Sequence, residues 1–296
     1  MICPKDFKGS VRENEPLAGL TSWRIGGPAC FLIEPESESD LAALVVHLKR
    51  EGVCYRILGG GTNLLIVDGG VKTAVLRLSS SVFAGMIFRG QTAELGAGLS
   101  LKKFVAAAMK QGLCGFEHLA GIPGSVGGAA VMNAGKGKEG GSISDIIDSV
   151  RVMDCCGRIS ELPSRSIKFS YRESGLDDLI VLSVKIKLAA AADMAAVRKR
   201  VKDYAVYRIH TQDFTRPSAG CVFKNPDGDS AGRILDACGL KGRRCGGAAF
   251  SKRHANFILN MGGASCADVL SLMDTAVSSV KEKFGTILEP EVKLWR

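Results

Sequence analysis

Three consecutive glycines, Gly59, Gly60 and Gly61 within LGGGTNLL, strip the side chains from one stretch of backbone. Without Cβ atoms the chain reaches angles closed to other residues and leaves its amide hydrogens uncovered, so an anion or a flat ring can sit directly on it. The flanks are regular structure. SDLAALVVHLKREG sets Leu41, Leu44, Val45 and Leu48 on one helical face, with Ser39 or Asp40 as N-cap and Gly52 as the stop. YRILGG then reads as a short strand, and LLIVDGGVKTAVLRL, rich in β-branched residues, as further strand.

A second loop of the same kind follows the helix SLKKFVAAAMKQG, whose inward face is Leu101, Phe104, Val105 and Ala108. In LAGIPGSVGGAAVMNAG, Pro123 fixes a turn, Gly124, Gly127 and Gly128 open the backbone, and Ser125 can donate to a phosphate oxygen. Beyond it, SVRVMDCCGRISEL reads as a hairpin turning at Cys156-Gly157 and LIVLSVKIKL as a buried strand. The charged helix DMAAVRKRVKDYAVYR leads into a polar connection, IHTQDFTRP, where a domain boundary falls. A last amphipathic helix, ADVLSLMDTAVSSVKEKFG, carries Leu270, Met273, Val277, Val280 and Phe284 as its buried stripe.

Two such loops suit opposite sides of one long diphosphate ligand. The ordinary nucleotide signatures are missing: a GxGxxG starting at Gly59 would need glycine where Leu64 stands, and GxxxxGK[ST] does not occur. The net charge of +9 allows anionic partners, but the basic residues are spread along the chain, and aromatics, at 6%, are too few for stacking on bases. A small phosphorylated ligand fits better than nucleic acid. No apolar run spans a bilayer and no secretion signal opens the chain, so the expectation is a cytoplasmic protein. The ten cysteines show neither CxxC pairs nor histidines at zinc-ligand spacing; they are expected to be mostly small buried hydrophobes, with no metal bound.

LGGGTNLLI, GIPGSVGGAAVMNAG, YRES, SAGCVFKNP, HANFILN and LEPEVK occur in order and at the approximate spacing of the UDP-N-acetylenolpyruvoylglucosamine reductase family, which this chain resembles from Thr21 to Trp295. The resemblance implies an α+β, three-domain flavoprotein. A two-part FAD-binding region of the vanillyl-alcohol oxidase type, 1–78 and 79–210 with 285–296, is joined by a C-terminal α+β substrate domain, 211–284. It also implies FAD as cofactor, NADPH as reductant and a UDP-sugar enolpyruvyl ether as substrate. FAD contacts map to Gly59, Gly60, Gly61, Thr62, Asn63 and Leu64, then to Gly121, Ile122, Pro123, Gly124, Ser125, Gly127, Gly128 and Asn133.

Reducing such an ether adds hydride at C3 and leaves negative charge at C2, spread into the neighbouring carboxylate, so a cation and a proton are needed. By resemblance Arg172 is the cation, since a guanidinium grips a carboxylate through two parallel bonds. Glu291 matches the family carboxylate, either orienting that arginine or relaying a proton; Glu289 is its competitor. Most family members carry serine where this chain has Cys221, at the position of the proton donor to C2. A thiol, with an unperturbed pKa near ~8.5, is mostly protonated at neutral pH and is a stronger acid than an alcohol, so cysteine can serve.

By the same resemblance Tyr171, Lys224, Asn225, Arg233, His254 and Asn256 are substrate contacts, with a purely structural role equally open for His254. Between Ser174 and Pro217 only a strand and a helix fit, leaving no room for the tyrosine-bearing loop that marks one subclass; the chain resembles the shorter, second type. It is expected to act as a monomer on a small molecule, with neither nucleic acid nor membrane as partner. Rival readings are an alcohol or sugar oxidase of the same fold and a non-catalytic binder of nucleotides or nucleic acid.

Overall fold

Leu41, Leu44, Val45 and Leu48 are buried along the first helix, α1 (Glu38–Arg50), as their spacing requires. Its N-cap is neither Ser39 nor Asp40 but Ser37, whose Oγ accepts from the Asp40 N–H at 3.1 Å. The buried Asp40 carboxylate instead accepts from the N–H groups of Lys8 and Glu36, which ties the helix start to the incoming chain. The second helix, α2 (Leu101–Lys110), buries the expected Leu101, Phe104, Val105 and Ala108. Phe104 meets Phe116 edge-on, ring centroids 5.8 Å apart.

A computed structural model of the chain describes residues 2–135 and 140–296. The chain divides into two units made of interleaved segments: Met1–Arg12, Phe31–Gly60 and Thr73–Val206 in the first, and Glu13–Cys30, Gly61–Lys72 and Tyr207–Arg296 in the second. The first unit holds a five-stranded antiparallel sheet in the order Ile159–Pro163, Ile147–Met153, Ile180–Lys187, Thr92–Gly96 and Met86–Arg89. Ile180–Lys187 lies at its centre and is apolar over most of its length, because both of its faces are covered. The hairpin pairs Met153 with Ile159 and turns through Gly157, at φ +74°.

A four-stranded sheet belongs mostly to the first unit, in the order Ser10–Pro16, Pro28–Glu34, Val71–Arg77 and Tyr55–Leu58. Tyr55–Leu58 runs parallel to Val71–Arg77, with Leu58 opposite Arg77, so Gly59 and Gly60 emerge at the carboxyl end of a parallel strand. That end is where open α/β sheets place their ligands. After α2 comes a short helix, α3 (Val126–Val131), then the charged helix α4 (Met194–Thr211), of which only Val197 is buried.

The second unit has its own core, in which Trp23, Ile25 and Leu65 from early segments join Val222, Phe223, Phe250, Ile258 and two helices, α5 (Ala231–Ala237) and α6 (Cys266–Phe284). The buried stripe of α6 is Cys266, Val269, Leu272, Met273, Ala276 and Val280, rotated from the one its largest side chains suggest. Leu270 and Val277 pack only at its margin, and Phe284 is exposed. Small Ala276 is fully buried, whereas the larger Val277 is only partly buried at the edge of the core. The C-terminal strand, expected with the central FAD portion, instead pairs in parallel with Leu64–Ile66, Lys293 opposite Leu64 and Trp295 opposite Ile66. Burial of Leu288, Val292 and Trp295 holds it there. Among the described residues no helix is long and apolar enough to cross a membrane.

Candidate active site

In the first unit the two glycine-rich loops meet. A Cβ on Gly60 would come within 2.7 Å of Gly124 Cα, and one on Gly59 within 2.9 Å of Ser125 Oγ, so the bare backbone is needed first for one loop to approach the other. Gly61, at φ +63° in the second unit, would run its Cβ into the Leu20 carbonyl. The second loop is fixed by Leu101 N–H donating to Gly124 O at 3.1 Å and Val126 N–H to Leu99 O at 2.8 Å. Ser125 caps α3, its Oγ accepting from Gly128 N–H at 3.3 Å, and Gly127 is small because Ala97 packs on it.

The donor set suits a diphosphate. Gly59, Gly60, Gly121 and Pro123 are exposed, and among the described residues the N–H groups of Gly60 and Gly124 donate to no acceptor. Two adjacent backbone segments with uncovered amides form an anion-binding concavity, so the residues present fit the pyrophosphate of FAD. Ile122 lies half-buried beside them. In the second unit Thr62 and Leu64 are half-buried, and Asn63 is tied to the C-terminal segment: its Nδ2 donates to Glu291 O at 3.0 Å, and its carbonyl accepts from Lys293 N–H.

Arg172 sits at the tip of a tight turn in the first unit, closed by Ser170 N–H to Glu173 O at 3.0 Å and Glu173 N–H to Ser170 O at 3.2 Å. Its φ of +63° is a left-handed conformation that costs a side-chain-bearing residue about 1–2 kcal/mol. Two contacts to the end of α3 hold the turn. Asn133 Nδ2 donates to Ser170 O at 2.8 Å, and Ser174 Oγ donates to Val131 O at 2.8 Å. The guanidinium lies 5.3 Å from the centroid of the Tyr171 ring, which keeps Tyr171 beside it. Asn133, buried and also accepting from Ser144 N–H, therefore spends its amide on holding the arginine turn.

Cys221 and Glu291 come together in the second unit. Glu291 N–H donates to Val222 O at 2.8 Å, which sets the glutamate beside the residue that follows the cysteine. Both are half-buried. Glu289, the competing carboxylate, is exposed and pairs with Lys224 Nζ at 3.3 Å, and its carbonyl accepts from Lys224 N–H at 2.8 Å. Asn256, buried, brackets the same segment: its Oδ1 accepts from Phe223 N–H at 3.0 Å and its Nδ2 donates to Phe223 O at 2.8 Å. Both ends of its amide thus serve the backbone behind Cys221.

Of the remaining predicted contacts, Asn225 Oδ1 accepts from Ala231 N–H at 3.0 Å and so helps start α5. Arg233 pairs with Asp229 one turn earlier; its hydrogen bonds draw that carboxylate down to a pKa of about 2. His254 packs on Phe257, ring centroids 4.8 Å apart, and its Nδ1 accepts from Asn256 N–H at 3.2 Å. Burial pushes its pKa below the usual histidine value, so the ring is neutral with its proton on Nε2: the structural role fits it. Ser174 and Asn63 lie within the YRES and LGGGTNLLI motifs, but their bracing bonds to Val131 O and Glu291 O could not be read from those motifs. The cysteines depart from expectation: Cys3 and Cys266 are buried, whereas Cys54, Cys155 and Cys156 are exposed.

Residues 29–163 match the FAD binding domain family, and residues 212–295 match the family described as UDP-N-acetylenolpyruvoylglucosamine reductase, C-terminal domain. Fold and site thus define a flavin-binding protein with an appended C-terminal α+β domain. The chain is 41% identical to UDP-N-acetylenolpyruvoylglucosamine reductase 2 of Symbiobacterium thermophilum, over 97% of this chain and 92% of that one. It is 40% identical to the reductase of Moorella thermoacetica, over 98% and 94%. The crystal structure of the Thermus caldophilus reductase superposes with a TM-score of 0.83 at 35% identity, covering 98% of this chain and 100% of that one. The chain belongs to the UDP-N-acetylenolpyruvoylglucosamine reductase family.

Proposed function

We propose that this chain reduces the enolpyruvyl ether of UDP-N-acetylglucosamine enolpyruvate to UDP-N-acetylmuramate, with NADPH as reductant, in cytoplasmic peptidoglycan precursor synthesis. The observation that carries the reading is the pairing of the SAGCVFKNP and LEPEVK segments, in which Glu291 N–H donates to the carbonyl of Val222, the residue after Cys221. Bound FAD supplies the hydride, drawn from NADPH. Gly59, Gly60 and Gly121 to Ser125 would hold its pyrophosphate through backbone N–H groups, with Thr62 and Asn63 flanking.

The chain's own work is charge and proton management. Arg172 grips the substrate carboxylate as negative charge spreads into it from C2, and the braced turn holds the guanidinium in place before the charge forms. Cys221 donates its Sγ proton to C2, and Glu291 relays a proton back to the thiol through water. Lys224, itself half-buried, takes the diphosphate by exchanging its partner Glu289, whose carboxylate is exposed and solvent-screened. Tyr171 and Arg233 contact the sugar and nucleotide, and Asn225, His254 and Asn256 hold the segments that present these groups.

The test is enolpyruvyl-dependent oxidation of NADPH, followed by single-turnover reoxidation of the prereduced enzyme by substrate in Cys221→Ser and Cys221→Ala. Serine retains turnover and alanine loses on the order of 10²–10⁴-fold, the usual worth of a positioned acid. An alanine variant as fast as the parent removes the thiol from the mechanism. Absence of substrate-dependent NADPH oxidation in the yellow holoprotein removes the reaction itself.

A further inference from the structure

The hairpin tip of the first unit carries two adjacent exposed cysteines that the reductase chemistry does not use. Asp154 Oδ1 accepts from the N–H groups of Cys156 at 2.8 Å and Arg158 at 3.0 Å, while its Oδ2 takes the Arg158 Nε–H at 2.9 Å, so the turn has one fixed shape. A Cβ on Gly157 would lie 3.1 Å from Ala42 O and from Val46 Cγ2, which shows how closely the turn is laid on α1. That contact brings in Lys49 from the last turn of α1, more than a hundred residues away in sequence. Its Nζ lies 3.0 Å from Cys156 Sγ and 3.5 Å from Cys155 Sγ.

We propose that Lys49, Cys155 and Cys156 form an oxidant-reactive dithiol site whose substrate class is a hydroperoxide. The ammonium beside two neighbouring sulfurs is the arrangement that favours a thiolate, and exposure gives the oxidant access. The hydrogen bond from Lys49 and, more weakly, its charge hold the Cys156 thiol below the ordinary cysteine value, against desolvation and the Asp154 carboxylate. Cys156 attacks one peroxide oxygen: an S–O bond forms, the O–O bond breaks, and the departing oxygen takes a proton from Lys49 or solvent to leave as water or alcohol. Cys155 then attacks the Cys156 sulfenic acid; an S–S bond forms, the S–O bond breaks, and the hydroxyl leaves as water with the proton of Cys155. The sum is one dithiol and one hydroperoxide giving one disulfide, one water and one water or alcohol.

Cys54, exposed on the same unit and bonded by no lysine among the described residues, is the internal control. The FAD-loaded protein is treated with hydrogen peroxide, with and without dimedone, and its peptides are read by mass spectrometry. Cys156 reacts about tenfold or more faster than Cys54, as a lysine-assisted thiolate should. The Cys155–Cys156 peptide loses two hydrogens, reversibly with dithiothreitol. Cys155→Ser stops at a dimedone-trapped sulfenic acid on Cys156, and Lys49→Gln slows the reaction toward the rate of Cys54. Equal rates at Cys54 and Cys156, an unchanged rate in Lys49→Gln, or a disulfide joining Cys156 to any cysteine other than Cys155 overturns the proposal. Every readout is made on the thiols, so it stands apart from the reductase reaction.

Discussion

Arg172 shows what a functional residue costs. Its left-handed backbone is strained by about 1–2 kcal/mol, whereas glycine would lose only about 0.5–1 kcal/mol through its greater freedom in the unfolded chain. Arg172→Gly is therefore expected to raise stability by roughly 0.5–1 kcal/mol in urea titration while abolishing enolpyruvyl-dependent turnover. A variant that is both less stable and active would show that the turn is not strained and the arginine not catalytic. Arg172, Cys221 and Glu291 are proposed because short local motifs carry them, and what the structure adds is the backbone that positions them. The backbone partners of Asn133, Asn225 and Asn256 could not be read from sequence: an asparagine next to a motif offers the same donor and acceptor to a ligand as to a backbone. The partner that decides, such as Phe223 for Asn256, is 33 residues away.

At the scale of elements, periodicity located helices and strands well but could not set their rotation where small residues face inward. On α1 and α2 the large aliphatic residues mark the buried face; on α6 Ala276 is inside and Phe284 outside. The charged helix α4 is a harder case, since it buries only Val197. Besides Val197 and the half-buried Met194, Val201 and Tyr204, it is held by Glu117, buried, whose Oε1 accepts from Arg200 Nη2 at 2.7 Å and Nε at 3.1 Å while Oε2 accepts from Gly115 N–H at 2.7 Å. Burial alone would raise the Glu117 pKa, but these hydrogen bonds outweigh it and the pKa is lowered. A lowered folded-state pKa stabilises above the unfolded carboxylate value, near ~4.3, and the contribution is lost as pH falls through the folded value. Glu117→Gln is expected to cost about 1–2 kcal/mol at neutral pH, less than a fully buried pair because Arg200 is half exposed. The gap to the parent closes in acid, and denaturation at several pH values measures it; a gap independent of pH would mean that the charge plays no part.

At the scale of the whole molecule, motif order gave the right family but a simpler chain path than the one observed. The sequence division put the first 78 residues into one FAD-binding portion, whereas residues 13–30 and 61–72 belong to the second unit. The reason is packing without a motif: Trp23 is fully buried there, its Nε1–H donating to Ile258 O at 2.7 Å, and Asn260 Nδ2 donates back to Trp23 O at 3.0 Å. Asp68 meets the start of α6, accepting from the N–H groups of Cys266 at 2.8 Å and Ala267 at 3.3 Å. Residues 207–296 expressed alone would lack Trp23, Ile25, Leu65 and the Asp68 cap, so that fragment should give no cooperative unfolding transition. In the full chain, Trp23→Ala opens a large cavity and leaves Ile258 O without its donor, at a cost of about 3–5 kcal/mol. Trp295, the other tryptophan of the chain and also in the second unit, then reports the shifted transition by its fluorescence. Trp23→Phe keeps most of the apolar volume and loses the hydrogen bond, so it should fall between parent and alanine. A fragment that unfolds cooperatively by itself, together with an unshifted Trp23→Ala midpoint, would mean that the early segments decorate a self-sufficient C-terminal core rather than complete it.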